Sequence, residues 1–332
     1  MNPYVTRGRI RKAASTMVLL AFVASGFCGA QPVAPPVSTA VHPLIGKIWD
    51  VRQRRFVTES ELMSRLTATD FVLLGEVHDN PEHHAHQAAV LSSLVRAGRR
   101  PALVMEQFDR ENQPAIDAAL AAGANAEGVA AAGRLDREGW QWERYEPLVR
   151  IAVSAKLPVV AANLSRRAAR DVAAQGFDRL EVASATLALT DVWSSAREDV
   201  LVQSIVESHC GQLRPQDAGP MTRAQRARDA VMADAILRYR TGGAVLIAGA
   251  GHVRHDLAVP LYLRARARDA TVLSVALTEV QSGADEVSAY ETTSAAGSAD
   301  PVFDYLWFSA RAERQDPCAG FTLPKGTAKR RP

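Results

Sequence analysis

The chain has 332 residues, 47% apolar and 23% charged, which is ordinary for a globular protein and enough to bury a large core. Its formal charge of +3 depends on the first thirty residues, which hold four bases and no acid and leave the remainder at −1. That balance excludes a global electrostatic case for nucleic acid.

The N-terminus reads as an export signal. Arg7, Arg9, Arg11 and Lys12 form a basic segment, and Ala13 to Phe27 is a short apolar one. Cys28-Gly29-Ala30 supplies small residues for cleavage before Gln31. The apolar run is too short and wrongly flanked for a membrane span. The expectation is an exported, periplasmic protein. Lipid anchoring through Cys28 stays open as a second reading, against which stands the bulky Phe27. Residues 31–42 are Pro-rich and read as a linker, 43–320 as a single α/β domain, and 321–332 as a disordered tail.

Lys47–Val51 and Phe56–Val57 read as a small hairpin. Thr58-Glu59-Ser60-Glu61 is a capping box that opens a short helix. Phe71–Leu74 is a short apolar run that fits a buried strand. It ends in Gly75-Glu76-Val77-His78, and Asn80 with Pro81 then marks a helix start. Four of the eight histidines fall between His78 and His86, so the loop is either a solvated His-rich helix start or a site.

Pro101–Met105 is a second strand, ending at Glu106-Gln107. A helix follows from about Arg110, and residues 121–134 read as irregular. Trp140, Trp142 and Tyr145 lead into a helix that reaches Ala155. Pro158–Ala162 is a third strand, ending at Asn163, with a helix after it. Residues 177–221 read as a helical insertion, and Thr222–Gln225 as a capping box for a helix that reaches Arg240. Ala244–Ala248 is a fourth strand, ending in Gly249-Ala250-Gly251-His252. Thr271–Leu277 is a fifth, residues 281–300 read as a mobile loop, and Phe303–Phe308 as a late edge strand.

Strands alternating with helices predict an α/β fold. Its sheet is largely parallel with helices on both faces, and an extra helical insertion lies between the third and fourth core strands. In such a sheet the strand ends share one edge, where ligands bind. Four strand ends are polar or Gly-rich, so Glu76, His78, Glu106 and His252 are expected on one rim although far apart in the chain. Those types serve acid/base catalysis, and His78, His252 and Glu106 could hold zinc or iron. A Gly-x-Ser-x-Gly elbow, a phosphate-binding loop, a dinucleotide fingerprint and a His-Glu-x-x-His pair are all missing, which argues against a serine nucleophile. Cys210 and Cys318, the two cysteines beyond the signal, are expected to pair in an oxidising compartment.

The run Leu73-Leu74-Gly75-Glu76-x-His78-Asp79-Asn80-x-x-His83-His84 is followed by Met105-Glu106-Gln107-Phe108 and then by Trp142-x-x-Tyr145-x-Pro147-Leu148. Ala162-Asn163 and Ala248-Gly249-x-Gly251-His252 complete the series. Over roughly residues 67–278 this order resembles the ChaN-like haem-binding uptake proteins, of the wider TraB/Tiki and erythromycin-esterase superfamily. The resemblance implies an α/β fold and an iron-regulated bacterial lipoprotein. It also implies haem held cofacially between two subunits through a tyrosine ligand. Haem would need an axial Tyr or His, a flat wall and cations for its propionates. Tyr145 is the first candidate ligand and Tyr262 the second; either could instead be a core residue. His83, His84 and His209 are candidates for ligand or propionate contact, and Arg254 and His255 for a propionate. Partners would be haem, a second subunit and periplasmic or outer-membrane uptake proteins. The competing function is a hydrolase using Glu76, His78, Glu106 and His252 on an activated or metal-bound water.

Overall fold

The computed structural model describes residues 42–188, 192–292, 294 and 301–322. The expected signal and nearly all of the linker lie outside these residues, as do positions 293 and 295–300 of the expected mobile loop and all but the first two residues of the tail. Among the described residues no helix is long and apolar enough to cross a membrane.

Eight strands form one mixed sheet: β1 (Ile48–Asp50), β2 (Arg55–Val57), β3 (Phe71–Glu76), β4 (Ala102–Asp109), β5 (Val159–Asn163), β6 (Ala244–Gly249), β7 (Val272–Glu279) and β8 (Tyr305–Ser309). Their order is β2-β1-β8-β7-β3-β6-β4-β5. The six from β8 to β5 run parallel, and the β1–β2 hairpin adds antiparallel strands at one edge.

Alternation along the central strands divides the core in two. Val72, Leu74, Leu103, Met105, Val245 and Ile247 face one layer, which includes the helices Pro81–Arg96 and Trp142–Ser154. Phe71, Leu73, Val104, Leu246 and Ala248 face the other, covered by the helices Gly219–Leu237 and Val259–Arg266. These strands are buried on both sides, which is why they read as unbroken apolar runs.

The local signals were read largely as the chain uses them. Thr58 and Glu61 form the reciprocal capping box. The Asn80 side chain accepts from the amides of Glu82 and His83, with Pro81 beginning the helix. Four expectations need correction. The late strand β8, expected at an edge, lies inside the sheet between β1 and β7, because the N-terminal hairpin adds beyond it. Residues 121–134 contain the helix Ala126–Ala132, begun by the Asn125 side chain. The helix expected to start at the Thr222 capping box begins at Gly219, and the Thr222 hydroxyl donates to the Gly219 carbonyl within its first turn. Strand β4 extends to Asp109, so Glu106 lies inside a strand; its register against β5 shifts between Met105 and Asp109. Cys210 and Cys318 are disulfide-bonded, as expected.

Candidate functional site

Pairing sets the site. β3 and β6 are neighbours, with Glu76 opposite Gly249, so the two Gly-to-His corners leave the sheet side by side. The second corner passes close over β3: a Cβ on Gly75 would lie 2.4 Å from Val253 Cγ2 and 2.8 Å from Ala250 Cα. A Cβ on Gly249 would lie 2.9 Å from His78 Nε2. Both glycines are therefore needed for close approach.

Glu76, His78, Glu106 and His252 do come together. Glu76 Oε1 is 2.9 Å from His78 Nδ1 and also accepts from the Tyr145 hydroxyl at 2.5 Å. Glu76 Oε2 lies 3.2 Å from His84 Nδ1. Burial alone would raise the Glu76 carboxyl, but its bonds to His78 and His84 prevail and hold it down at about 2. The ionised Glu76 fixes a proton on His78 Nδ1, so His78 titrates at Nε2. Burial works against charge on His78, yet its bond to Glu76 and the nearby Glu106 leave its pKa raised.

Glu106 joins the second corner. Its Oε2 accepts from the Gly249 amide at 2.8 Å and its Oε1 is 3.3 Å from His252 Nε2. His252 Nδ1 is 2.6 Å from Asp229 Oδ1. Burial opposes charge on His252, but Glu106 and then Asp229 outweigh it and push its pKa up to about 10. Burial likewise raises Glu106, yet His252 above all brings it to about 2. Asp229 is pushed up to about 6 by burial, against the pull of His252. His252 thus has a carboxylate at each ring nitrogen. The expected metal set of His78, His252 and Glu106 comes together, with His252 Nε2 3.3 Å and His78 Nε2 4.0 Å from the Glu106 carboxylate, and among the described residues no three His, Cys, Asp or Glu side chains form a metal-holding group.

Above this floor opens a cavity of about 750 Å³, lined among others by His78, Gln107, Trp140, Asn163 and five arginines: Arg134, Arg166, Arg167, Arg170 and Arg228. Arg166 is 3.4 Å from Asp136; the other four have no ion-pair partner among the described residues. The Trp140 ring meets His78 edge-on at 5.1 Å.

The residues expected to hold haem do not gather here. Tyr145 is fully buried with its hydroxyl committed to Glu76, and burial pushes its pKa up. Tyr262 is also fully buried and outside the cavity lining. His83 accepts from the Val77 amide and donates to the Ser309 hydroxyl, and burial holds its pKa down at about 4. His84 Nε2 is 3.0 Å from the His78 carbonyl. Arg254 pairs with Asp256, and His255 with Asp304 and Arg264. His209 meets the Phe321 ring edge-on at 6.2 Å near the disulfide. None of these seven residues lines the rim cavity, and most have polar atoms engaged elsewhere. Reasoning from sequence missed Asp229 and the arginines. Two acids, Asp229 and Asp234, among the alanines and aliphatics of Ala227–Ile236 were the readable signal for the first, and Arg167 with Arg170, one helical turn apart, for the second.

The fold and the rim define an α/β protein with a candidate site at the carboxyl ends of its parallel strands. The chain belongs to the family described as haem-binding uptake, Tiki superfamily, ChaN, whose model matches residues 62–263. ChaN of Campylobacter jejuni, solved for its cofacial haem binding, shares the fold: TM-score 0.62 at 20% identity over 78% of this chain and 95% of that one. The erythromycin esterase EreC is more distant, with a TM-score of 0.40 at 15% identity over 68% of this chain and 74% of its own, too slight to carry an argument. No curated protein matches the sequence.

Proposed function

We propose that the protein binds haem in the arginine-lined rim cavity and serves haem or iron uptake as an exported protein. The observation that carries this reading is the cavity itself, about 750 Å³ with five arginines against two carboxylates, Asp109 and Asp136, beside an indole and an imidazole. Its donors fit haem: guanidinium groups suit carboxylates, and Trp140 offers a flat apolar wall. Family membership adds independent support. Haem would arrive as cargo, with its iron. A second copy of the chain would complete the largely polar cavity by covering the haem's open face, as the cofacial arrangement in ChaN of Campylobacter jejuni suggests.

Titration of the purified chain with haemin tests the reading. A saturable Soret shift is expected, and reversal of charge in the double variant Arg167→Glu, Arg170→Glu should weaken affinity about tenfold or more, about 1.4 kcal/mol. A folded wild-type chain that gives no saturable shift would overturn it.

One distance favours a second reading, hydrolysis by an activated water. His78 Nε2 and Glu106 Oε2 are 4.0 Å apart, a gap that a water at about 2.8 Å from each would fill. Turnover of p-nitrophenyl esters that is lost in His78→Ala would support it; no turnover would retire it.

A further inference from the structure

We infer that the chain after β8 is a strap, latched by the Cys210–Cys318 disulfide, that clamps the loop bearing His78, so that oxidation of this cysteine pair orders the rim. The inference goes beyond the proposed function and concerns the order of a loop, whatever the rim binds.

Residues 310–316 have no helix or strand of their own, yet they are bonded to the loop after β3. The Ala310 carbonyl accepts from Asn80 Nδ2 at 2.9 Å, and the Ala310 amide donates to Glu82 Oε2 at 3.2 Å. Glu279, at the end of β7, is the hub: its Oε1 accepts from Asn80 Nδ2 at 2.7 Å and from the Ala312 amide at 3.0 Å. The Arg314 guanidinium joins Glu279 to Asp79, with Nη1 2.8 Å from Glu279 Oε2 and Nε 2.7 Å from Asp79 Oδ2. Asp79 follows His78 in the chain, and Asn80 caps the helix that carries His83 and His84. Arg314 is thus the outermost grip of the strap on the His78 loop.

An arginine on an open tail would hold those carboxylates weakly, because a partly exposed ion pair must freeze the chain around it. The disulfide removes much of that cost. Cys318 is bonded to Cys210, in the turn that ends the helix Ser195–Ser208, so residues 310–317 are fixed at both ends, by β8 and by the bond. Beyond it Gln212 donates to the Phe321 carbonyl. Closing the bond confines Arg314 and raises its effective concentration at Asp79 and Glu279. Cys318 is exposed and Cys210 half-buried, so a thiol reagent reaches the pair. Formation takes two electrons and two protons from the two thiols and passes them to a disulfide of an oxidising compartment, which becomes a dithiol; an added dithiol reverses the exchange. The alternative is a general staple, since a bond between residues 108 apart would stabilise the whole domain. The grip on Asp79, Asn80 and Glu82 favours the local role.

Hydrogen–deuterium exchange on the whole folded chain tests the latch. Four forms are compared with the oxidised wild type as reference: that reference, the chain reduced by dithiothreitol, the double variant Cys210→Ser, Cys318→Ser, and Arg314→Ala with its disulfide intact. Amides of residues 79–84 should exchange about fivefold faster or more in each altered form, while those of the central strand β6 keep their protection. Unchanged exchange at 79–84, in the reduced chain or in Arg314→Ala, would overturn the inference. An equal loss of protection in β6 would overturn it too, by making the bond a general staple. Haemin titration run in parallel separates the latch from the haem reading: if that reading holds, reduction should weaken haemin binding about threefold or more. No saturable haemin shift in any form would retire the haem reading alone, with the exchange rates still deciding the latch.

Discussion

His252 and His255 are three residues apart, both buried and both paired to an aspartate, yet the two clusters around them differ in what they leave over. Around His255 every polar partner is used: Nε2 faces Asp304 at 2.7 Å, Nδ1 faces Arg264 at 2.7 Å, and Asp304 also accepts from the Ser274 amide. That cluster ties the loop after β6 to β7 and to the approach to β8. Around His252 the chain of contacts runs from Asp229 through His252 to Glu106 and stops 4.0 Å short of His78, whose half-exposed side chain lines the rim cavity. Composition is nearly the same in the two. A half-exposed side chain in a cavity lining separates a candidate site from a fastening, because a side chain whose bonds are all made has nothing to offer a ligand without first losing stability.

The contrast can be broken by mutation. The largest effect is expected for Asp229→Ala, which leaves the twice-protonated His252 buried with one carboxylate fewer. Chemical denaturation should show a loss of about 3–5 kcal/mol, and haemin affinity should fall as the Glu106 floor rearranges. Asp304→Ala should cost less, about 1.5–3 kcal/mol, and should leave the haemin titration unchanged, since nothing in its cluster reaches the rim. Equal effects of the two variants on haemin binding would erase the distinction drawn here.

The smallest effect, read per pH unit, is a slope of at most about 1.4 kcal/mol for each titrating group. The His252 pKa is near 10 in the folded chain against an ordinary 6.5, so between those values the folded chain keeps a proton that the unfolded chain has lost. Stability is therefore expected to fall as pH rises through that window. At the acid end Glu76 and Glu106, at about 2 against an ordinary 4.5, add stability above 4.5 that is lost as pH falls towards 2. Denaturation midpoints measured across both windows check this, and Asp229→Asn should flatten the alkaline slope.

Much of this was legible beforehand. Unbroken apolar runs such as Phe71–Leu74 and Ala244–Ala248 mark strands buried on both faces, and Asn80-Pro81 and Thr58–Glu61 mark helix starts, because these signals act over a few residues. Convergence of Glu76, His78, Glu106 and His252 was also legible, since parallel strands bring their carboxyl ends to one edge whatever their separation in the chain. The haem contacts were not. His83 and His84 look the same in sequence as His78, and only the packing of the helix Pro81–Arg96 turns them inward, towards Ser309 and Glu76. Trp140 and Tyr145 lie five residues apart with a left-handed Gln141 between them, and that turn sets one against the cavity and the other in the core.

By itself the sequence determined the layered α/β architecture and the rim on which the ionisable groups meet, which follow from periodicity, capping and strand-end chemistry, all of them local; the family was legible only through the resemblance of its motifs and their order. Only the tertiary structure decided which of those groups stay free. It brought Asp229 from a distant helix to lock His252, committed Tyr145 to Glu76, and placed His78 in the lining of a cavity that five arginines share. A hydrogen bond between residues far apart in the chain consumes a lone pair or a proton, and no pattern of neighbours along the chain records which one.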